Sequence, residues 1–281
     1  RLLDWSIKNS PDFWNYFWDY SKIIGIKSKQ KIKRSKKFYK NLFLPGSKLN
    51  FGENLLPKNN LDKAITFISE NGFREQKTWK QLNLSTSKII KFLRKINIKK
   101  GDRVVAYMPN TIQTVEAFIA SSSIGSIWSS CSPDFGIRGV VERFSQINPK
   151  VLFITDQYFY NGKKINILER LPEILKFIPS IKNVVVVNYP GKRLMKKFRK
   201  LKKIKLFRWN ELMKISSERT NFKKFDFENE LAILYSSGTT GKPKCICHRS
   251  GGVLLQHMKE HQLHCDIKEN DNVFYFTTCG W

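Results

Sequence analysis

Four short apolar runs, spaced so that an amphipathic stretch fits between neighbours, restrict this chain more than any other feature. Residues 103–108 (R-V-V-A-Y-M), 151–155 (V-L-F-I-T), 184–187 (V-V-V-V) and 231–234 (L-A-I-L) carry apolar side chains on both alternating faces. A strand reads this way when it is covered from two sides. Gly101 and Asp102 turn the chain into the first run, and Asn110 is expected to cap a helix over residues 111–123, with Ile112, Val115, Phe118 and Ile119 on its apolar side. A helix is also expected over residues 168–177, and the short strand 63–67 is followed by a helix running from Thr78 to about Lys95. Strand alternating with helix predicts an α/β fold: layered sheets, largely parallel, with covering helices. There is no internal repeat.

The run 231–234 leads into Y-S-S-G-T-T-G-K-P-K, residues 235–244. Gly238 and Gly241 permit positive φ and close backbone approach, so successive N–H groups can line a concavity. Ser236, Ser237, Thr239 and Thr240 add hydroxyl donors, Lys244 adds a mobile cation, and Pro243 limits relaxation of the empty loop. Phosphate oxygens suit such a loop. The Walker spacing is not met, because two residues separate the glycines, a proline precedes the lysine, and residues 245–247 (C-I-C) read as another strand. The other reading is a plain polar hairpin turn, which has no need of four hydroxyls, two glycines and a lysine together. The decapeptide resembles the phosphate-loop signature of adenylate-forming enzymes, the superfamily of acyl-CoA synthetases, luciferases and peptide-synthetase adenylation domains.

Three further stretches extend that resemblance. Trp5-Ser6, the Phe-Trp pairs at 13–14 and 17–18, and residues 44–56 (L-P-G-S-K-L-N-F-G-E-N-L-L) resemble the N-terminal extension of the acetyl-CoA and acetoacetyl-CoA synthetase branch. Residues 128–136 (W-S-S-C-S-P-D-F-G) read by spacing as a polar loop before a helix near Ile137, and they resemble the corresponding segment of acetoacetyl-CoA synthetases rather than of relatives acting on acetate or propionate. The terminal Thr277, Thr278, Cys279, Gly280 and Trp281 resemble the edge of an acyl pocket. The resemblance implies an extension over residues 1–60 and an incomplete AMP-binding domain over 61–281, the N-terminal part of the large lobe. It implies ATP, Mg2+, coenzyme A and acetoacetate as reactants, with Lys244 as phosphate clamp. The family's adenine and ribose contacts, metal-binding glutamate, hinge and C-terminal lysine are expected beyond Trp281. The chain is therefore expected to be an N-terminal fragment without the C-terminal domain, inactive alone.

Two other function classes compete. Lys and Arg number 51 against 23 Asp and Glu, a net charge of +28, and basic clusters at residues 27–40 and 192–205 would suit nucleic acid. Neither cluster carries a nucleic-acid module, and lysine is in excess along the whole chain, so a lysine-rich surface is the preferred account and residues 192–205 are expected as an exposed insert. His257-Met-Lys-Glu-His261 matches the H-x-x-E-H zinc pattern. It needs a third ligand, and Cys245, Cys247 and His248 alternate across a strand, so no metal ligand is expected and the helix over residues 251–263, capped by Ser250, is read as scaffold. Residues 273–276 (V-F-Y-F) are expected as a strand. Five scattered cysteines suggest reduced thiols and a cytoplasmic setting, and no apolar run is long enough to span a membrane.

Overall fold

The computed structural model describes residues 1–189, 203–218, 220–236 and 241–280. Among these residues the centre is a seven-stranded sheet. In chain order its strands are β1 (Arg103–Tyr107), β2 (Ile127–Cys131), β3 (Val151–Thr155), β4 (Asn183–Val187), β5 (Lys205–Arg208), β6 (Glu230–Ser236) and β7 (Lys244–Arg249). Across the sheet they stand β5-β4-β3-β1-β2-β6-β7, with every pair parallel except the antiparallel β6 and β7. The longer helices are α1 (Leu2–Lys8), α2 (Ser10–Tyr20), α3 (Trp79–Lys95), α4 (Ile112–Ser123), α5 (Ile137–Phe144), α6 (Leu171–Phe177) and α7 (Ser250–Lys259).

Both faces of the sheet are covered, which is why its inner strands are apolar throughout. On β3, Leu152 and Ile154 enter one core with Val140 and Phe144 of α5 and Leu171 and Ile174 of α6. The alternate residues Val151 and Phe153 enter the opposite core, with Ile89, Phe92 and Leu93 of α3 and Ala117 and Ala120 of α4. β4 divides the same way, Val184 and Val186 against Val185 and Val187. Each large side chain buried here contributes about 1.5–3 kcal/mol.

The ends of α3 are chemically specified. Thr78 accepts from the Gln81 backbone at 3.2 Å and Gln81 Oε1 accepts from the Thr78 backbone at 2.9 Å, a reciprocal capping box, while Arg94 and Lys95 close the last turn against the helix dipole. Strand 63–67 is found as Lys63–Ile68, paired with Arg74–Thr78 in a hairpin that feeds α3. The Phe-Trp pairs at 13–14 and 17–18 lie on α2, whose Phe17 and Trp18 are buried with Leu44, Leu49, Leu254 and Leu255, so the N-terminal residues pack against α7.

Several expectations need correction. Residues 128–131 belong to the buried strand β2: Ser129 Oγ donates to the Ile233 carbonyl at 2.7 Å, which lets a hydroxyl sit inside the sheet. Asn110 does not cap α4; Thr111 holds the N-cap position without a side-chain bond. Ser250 is likewise inside α7 rather than its cap, and after Lys259 the coil widens into a π-turn over Glu260–His264. Residues 273–276 form no strand and Val273, Phe274, Tyr275 and Phe276 are exposed, because no ladder partner stands beside them among the described residues. The basic tract 192–205 lies mostly outside the described residues, and its end Lys205 enters edge strand β5. In the other basic cluster, Lys27 and Lys31 pair with Asp19 and Asp12.

Candidate functional site

Parallel pairing puts the carboxyl ends of β1, β2, β3 and β6 on one edge of the sheet. Neighbours β1 and β3 leave that edge in opposite directions, β1 toward β2 and β3 toward β4. The crevice between such strands is where open α/β sheets bind ligands. The chain returns there at its last residues. Asn110, just past β1, donates from Nδ2 to the Thr277 carbonyl and accepts the Cys279 backbone N–H at 2.8 Å. From β2, Ser130 Oγ donates to the Cys279 carbonyl, and Trp128 Nε1 donates to Ser130 Oγ at 3.1 Å. Gly280 lies so close that a Cβ there would be 2.9 Å from the Ser130 carbonyl oxygen. The two segments singled out by sequence, residues 128–136 and 277–280, are thus bonded to each other. The Thr278 hydroxyl is buried without a partner among the described residues, and Trp281 lies outside them.

The stretch read from the sequence as a phosphate loop starts at the same edge, at the end of β6. Ser236 is the last β6 residue and pairs in register with Lys244, the first of β7. Gly241 has φ +99°, the left-handed region that favours glycine, with open space where a side chain would start. Ser237, Gly238, Thr239 and Thr240 lie outside the described residues. Lys242 and Lys244 are exposed and, among the described residues, have no carboxylate partner. Helix α5 and the residues just after it hold both stems of this loop. Gln146 Nε2 donates to the Pro243 carbonyl at 2.9 Å, and the Arg143 guanidinium lies 4.2 Å from the Phe135 ring centre and 5.7 Å from that of Tyr235. Burial raises the Tyr235 pKa, so its phenol stays neutral beside Ser129.

A polar cluster fixes the turn that starts α5. Arg170 donates to the Tyr107 hydroxyl and to the carbonyls of Pro133 (3.0 Å) and Phe135 (3.2 Å). Asp134 accepts the Tyr158 hydroxyl at 2.8 Å and the Ser132 hydroxyl at 2.6 Å. Sequence reasoning missed Asn110, Ser130, Arg143, Gln146 and Arg170 as positioning groups, since each acts on a segment far away in the chain.

Beneath the 277–280 corner lies a cavity of about 370 Å³. Val115 and Phe118 of α4, Trp128 of β2, Leu234 of β6 and Val253 of α7 make its apolar wall, and Cys279, His248 and His257 border it. Burial pushes the Cys279 thiol up to about 11, which keeps it protonated and unsuited to nucleophilic work. His257 therefore belongs to a cavity wall. Its partner in the H-x-x-E-H pattern, His261, stands with ring centres 6.5 Å away, while Glu260 is ion-paired with Lys259 at 2.9 Å. No third His, Cys, Asp or Glu completes a metal-holding group among the described residues. Among the described residues no helix is long and apolar enough to cross a membrane.

Comparison with known proteins agrees with this geometry. An acetoacetyl-CoA synthetase of Gallus gallus is 40% identical over 287 residues, covering 100% of this chain and 43% of its own length. One of Rhizobium meliloti (strain 1021) is 38% identical over 99% of this chain and 42% of its own length, and malonamoyl-CoA synthetase vrtB of Penicillium aethiopicum is 35% identical over 100% and 40%. The solved acetoacetyl-CoA synthetase of Streptomyces lividans superposes with a TM-score of 0.88 at 30% identity, over 99% of this chain and 42% of that one. The chain thus spans about two fifths of the length of the relatives it matches. Residues 58–281 match the family described as AMP-binding enzyme, which takes in the whole sheet, the loop after β6 and the corner at 277–280, and the chain belongs to that family.

Proposed function

We propose that this chain carries the phosphate-gripping and acid-binding parts of an ATP-dependent acid–thiol ligase acting on acetoacetate. Residues 1–60 are the extension and 61–281 the part of the AMP-binding domain that holds the loop and the corner. In the reaction a carboxylate oxygen attacks the α-phosphorus of ATP, the bond to the β-phosphate bridging oxygen breaks, and pyrophosphate leaves with that electron pair. The coenzyme A thiol, losing its proton, then displaces AMP from the acyl carbon. Ser236, Ser237, Gly238, Thr239, Thr240, Gly241 and Lys244 are assigned to the leaving pyrophosphate, where fixed donors stabilise developing charge without proton transfer. Thr278, Cys279, Gly280 and Trp281 are assigned to the acid. No residue is assigned to Mg2+: among the described residues there is no group of three metal-competent side chains, and no step is routed through the ion.

The observation that carries this reading is that the loop's two stems, Ser236 and Lys244, and the 277–280 corner share one carboxyl edge, with a cavity beneath the corner. The acids named for the relatives, acetoacetate and the malonamoyl acid, share a carbonyl group two carbons from the carboxyl carbon. A short 3-oxo acid is therefore the substrate class, ahead of acetate or propionate. The test is exchange of labelled pyrophosphate into ATP by the full gene product with acetoacetate, acetate and propionate. Exchange that requires acetoacetate supports the proposal; equal exchange with acetate overturns the substrate, and none with any acid overturns the reaction.

A further inference from the structure

The cavity beneath residues 277–280 has more room than a carboxylate needs, and its chemistry is uneven. Most of its wall is apolar. Of the polar side chains on it, Thr114 donates its hydroxyl to the Pro109 carbonyl at 2.6 Å, and the Trp128 indole N–H is held by Ser130. Cys279 offers only a weak S–H donor. That leaves the imidazoles of His248 and His257, whose ring nitrogens have no hydrogen-bond partner among the described residues. His248 is one residue from the end of β7, at the amino edge of the sheet. His257 comes seven residues into α7, about 10 Å along the helix from that end, and borders the cavity together with Leu234 and Cys279, two residues near the carboxyl edge where the acid is activated.

We propose that His257 is a specificity-determining residue that donates an imidazole N–H to the 3-oxo oxygen of the acid, and so selects 3-oxo acids over unsubstituted acids of the same length. This deepens the ligase reading and rests on its assignment of the acid to the 277–280 corner. A neutral imidazole carries one N–H donor and one acceptor, and a ketone oxygen can only accept. Neutrality is favoured here, because burial and the neighbouring His261 and His248 all lower the His257 pKa. The His257 side chain is itself exposed at the cavity's edge, so the bound acid completes its desolvation: an acid lacking the oxygen then leaves that donor unpaired, while the rest of its surface meets the same apolar wall. The H-x-x-E-H pattern then has a use that involves no metal.

The 281-residue chain, labelled with 15N in histidine, is titrated with acetoacetate and with butyrate, its counterpart without the oxo group, and imidazole resonances are followed by NMR. Acetoacetate is expected to shift the His257 ring signals and to bind about fivefold more tightly than butyrate, the effect of one neutral hydrogen bond. His257→Leu should remove that preference, since acetoacetate loses its donor and butyrate no longer leaves one unpaired, and His257→Gln, which keeps an N–H donor, should restore part of it. The backbone spectrum of each variant shows whether the fold is kept. Equal affinities for both acids, a preference that survives His257→Leu, or one removed by His248→Leu instead would overturn the proposal. Pyrophosphate exchange by the full gene product stands apart from this readout. A preference for acetoacetate without exchange would leave the His257 assignment in place and remove the ligase reading, whereas exchange without the preference would do the reverse.

Discussion

Replacing Lys77 by methionine should damage the protein far more than replacing its partner Glu116 by glutamine. Glu116 is fully buried on α4, the helix whose Val115 and Phe118 wall the cavity. One carboxylate oxygen accepts Lys77 Nζ at 2.6 Å and the Ser85 hydroxyl; the other has no partner among the described residues. Burial raises the Glu116 pKa above its ordinary value, against the opposing pull of Lys77 and Ser85. The Lys77 side chain is 18% exposed and Glu116 0%. Lys77 without its partner can therefore reach water, and Glu116 without Lys77 cannot. Stranding a buried carboxylate costs about 3–5 kcal/mol, whereas Glu116→Gln still accepts from Ser85 and should cost about 1–2 kcal/mol. The sign of the pH dependence follows. A carboxyl whose folded pKa lies above its unfolded value contributes stability fully below the unfolded value and loses it as pH rises through the folded one. Lys77→Met raises the folded value further, at about 1.4 kcal/mol per pH unit. Its defect in urea unfolding should thus be large near neutral pH and shrink as pH falls toward 4.5, the ordinary value for this group. The double variant should recover most of the loss. A Lys77→Met defect equal at both pH values, or a Glu116→Gln defect as large, would refute the reasoning.

Lys244→Ala in the full gene product should slow adenylate formation by about tenfold or more, the effect of a lost charge-assisted hydrogen bond. Thiol transfer from preformed acyl-adenylate should stay largely intact, because the phosphates have left; single-turnover measurement of both half-reactions separates the two. Gly280→Ala, whose new methyl meets the Ser130 carbonyl at 2.9 Å, should raise KM for the acid about tenfold through a misplaced corner and leave pyrophosphate binding unchanged, as read by steady-state kinetics and calorimetry. Gln146→Ala frees the Pro243 stem of the loop and should weaken pyrophosphate binding about fivefold without altering the preference between acids.

The inner strands were legible because burial on two faces demands apolar residues at every position, and β1, β3, β4 and the start of β6 obey that demand. β2 is as deeply buried but reads I-W-S-S-C. Its hydroxyls are tolerated only because Ser129 and Ser130 find carbonyl acceptors on β6 and at Cys279, partners about 100 and 149 residues away that no local pattern contains. Residues 273–276 failed in the opposite sense, since strand-forming side chains make a strand only where a ladder partner waits. The same division runs through the site. A loop of glycines and hydroxyls stands out within ten consecutive residues, yet its stems hang on Gln146 and Arg143, and the turn before α5 hangs on Arg170. These are ordinary surface residue types until the sheet order carries them to one edge. Asn110 makes the point most sharply. Its position before a helix gave it a local role as a cap, and the fold uses it instead to hold both Thr277 and Cys279 across the end of β1. Local sequence therefore shows what chemistry a short stretch contains but not what holds that stretch in place, because support is recruited from wherever the topology has brought a donor.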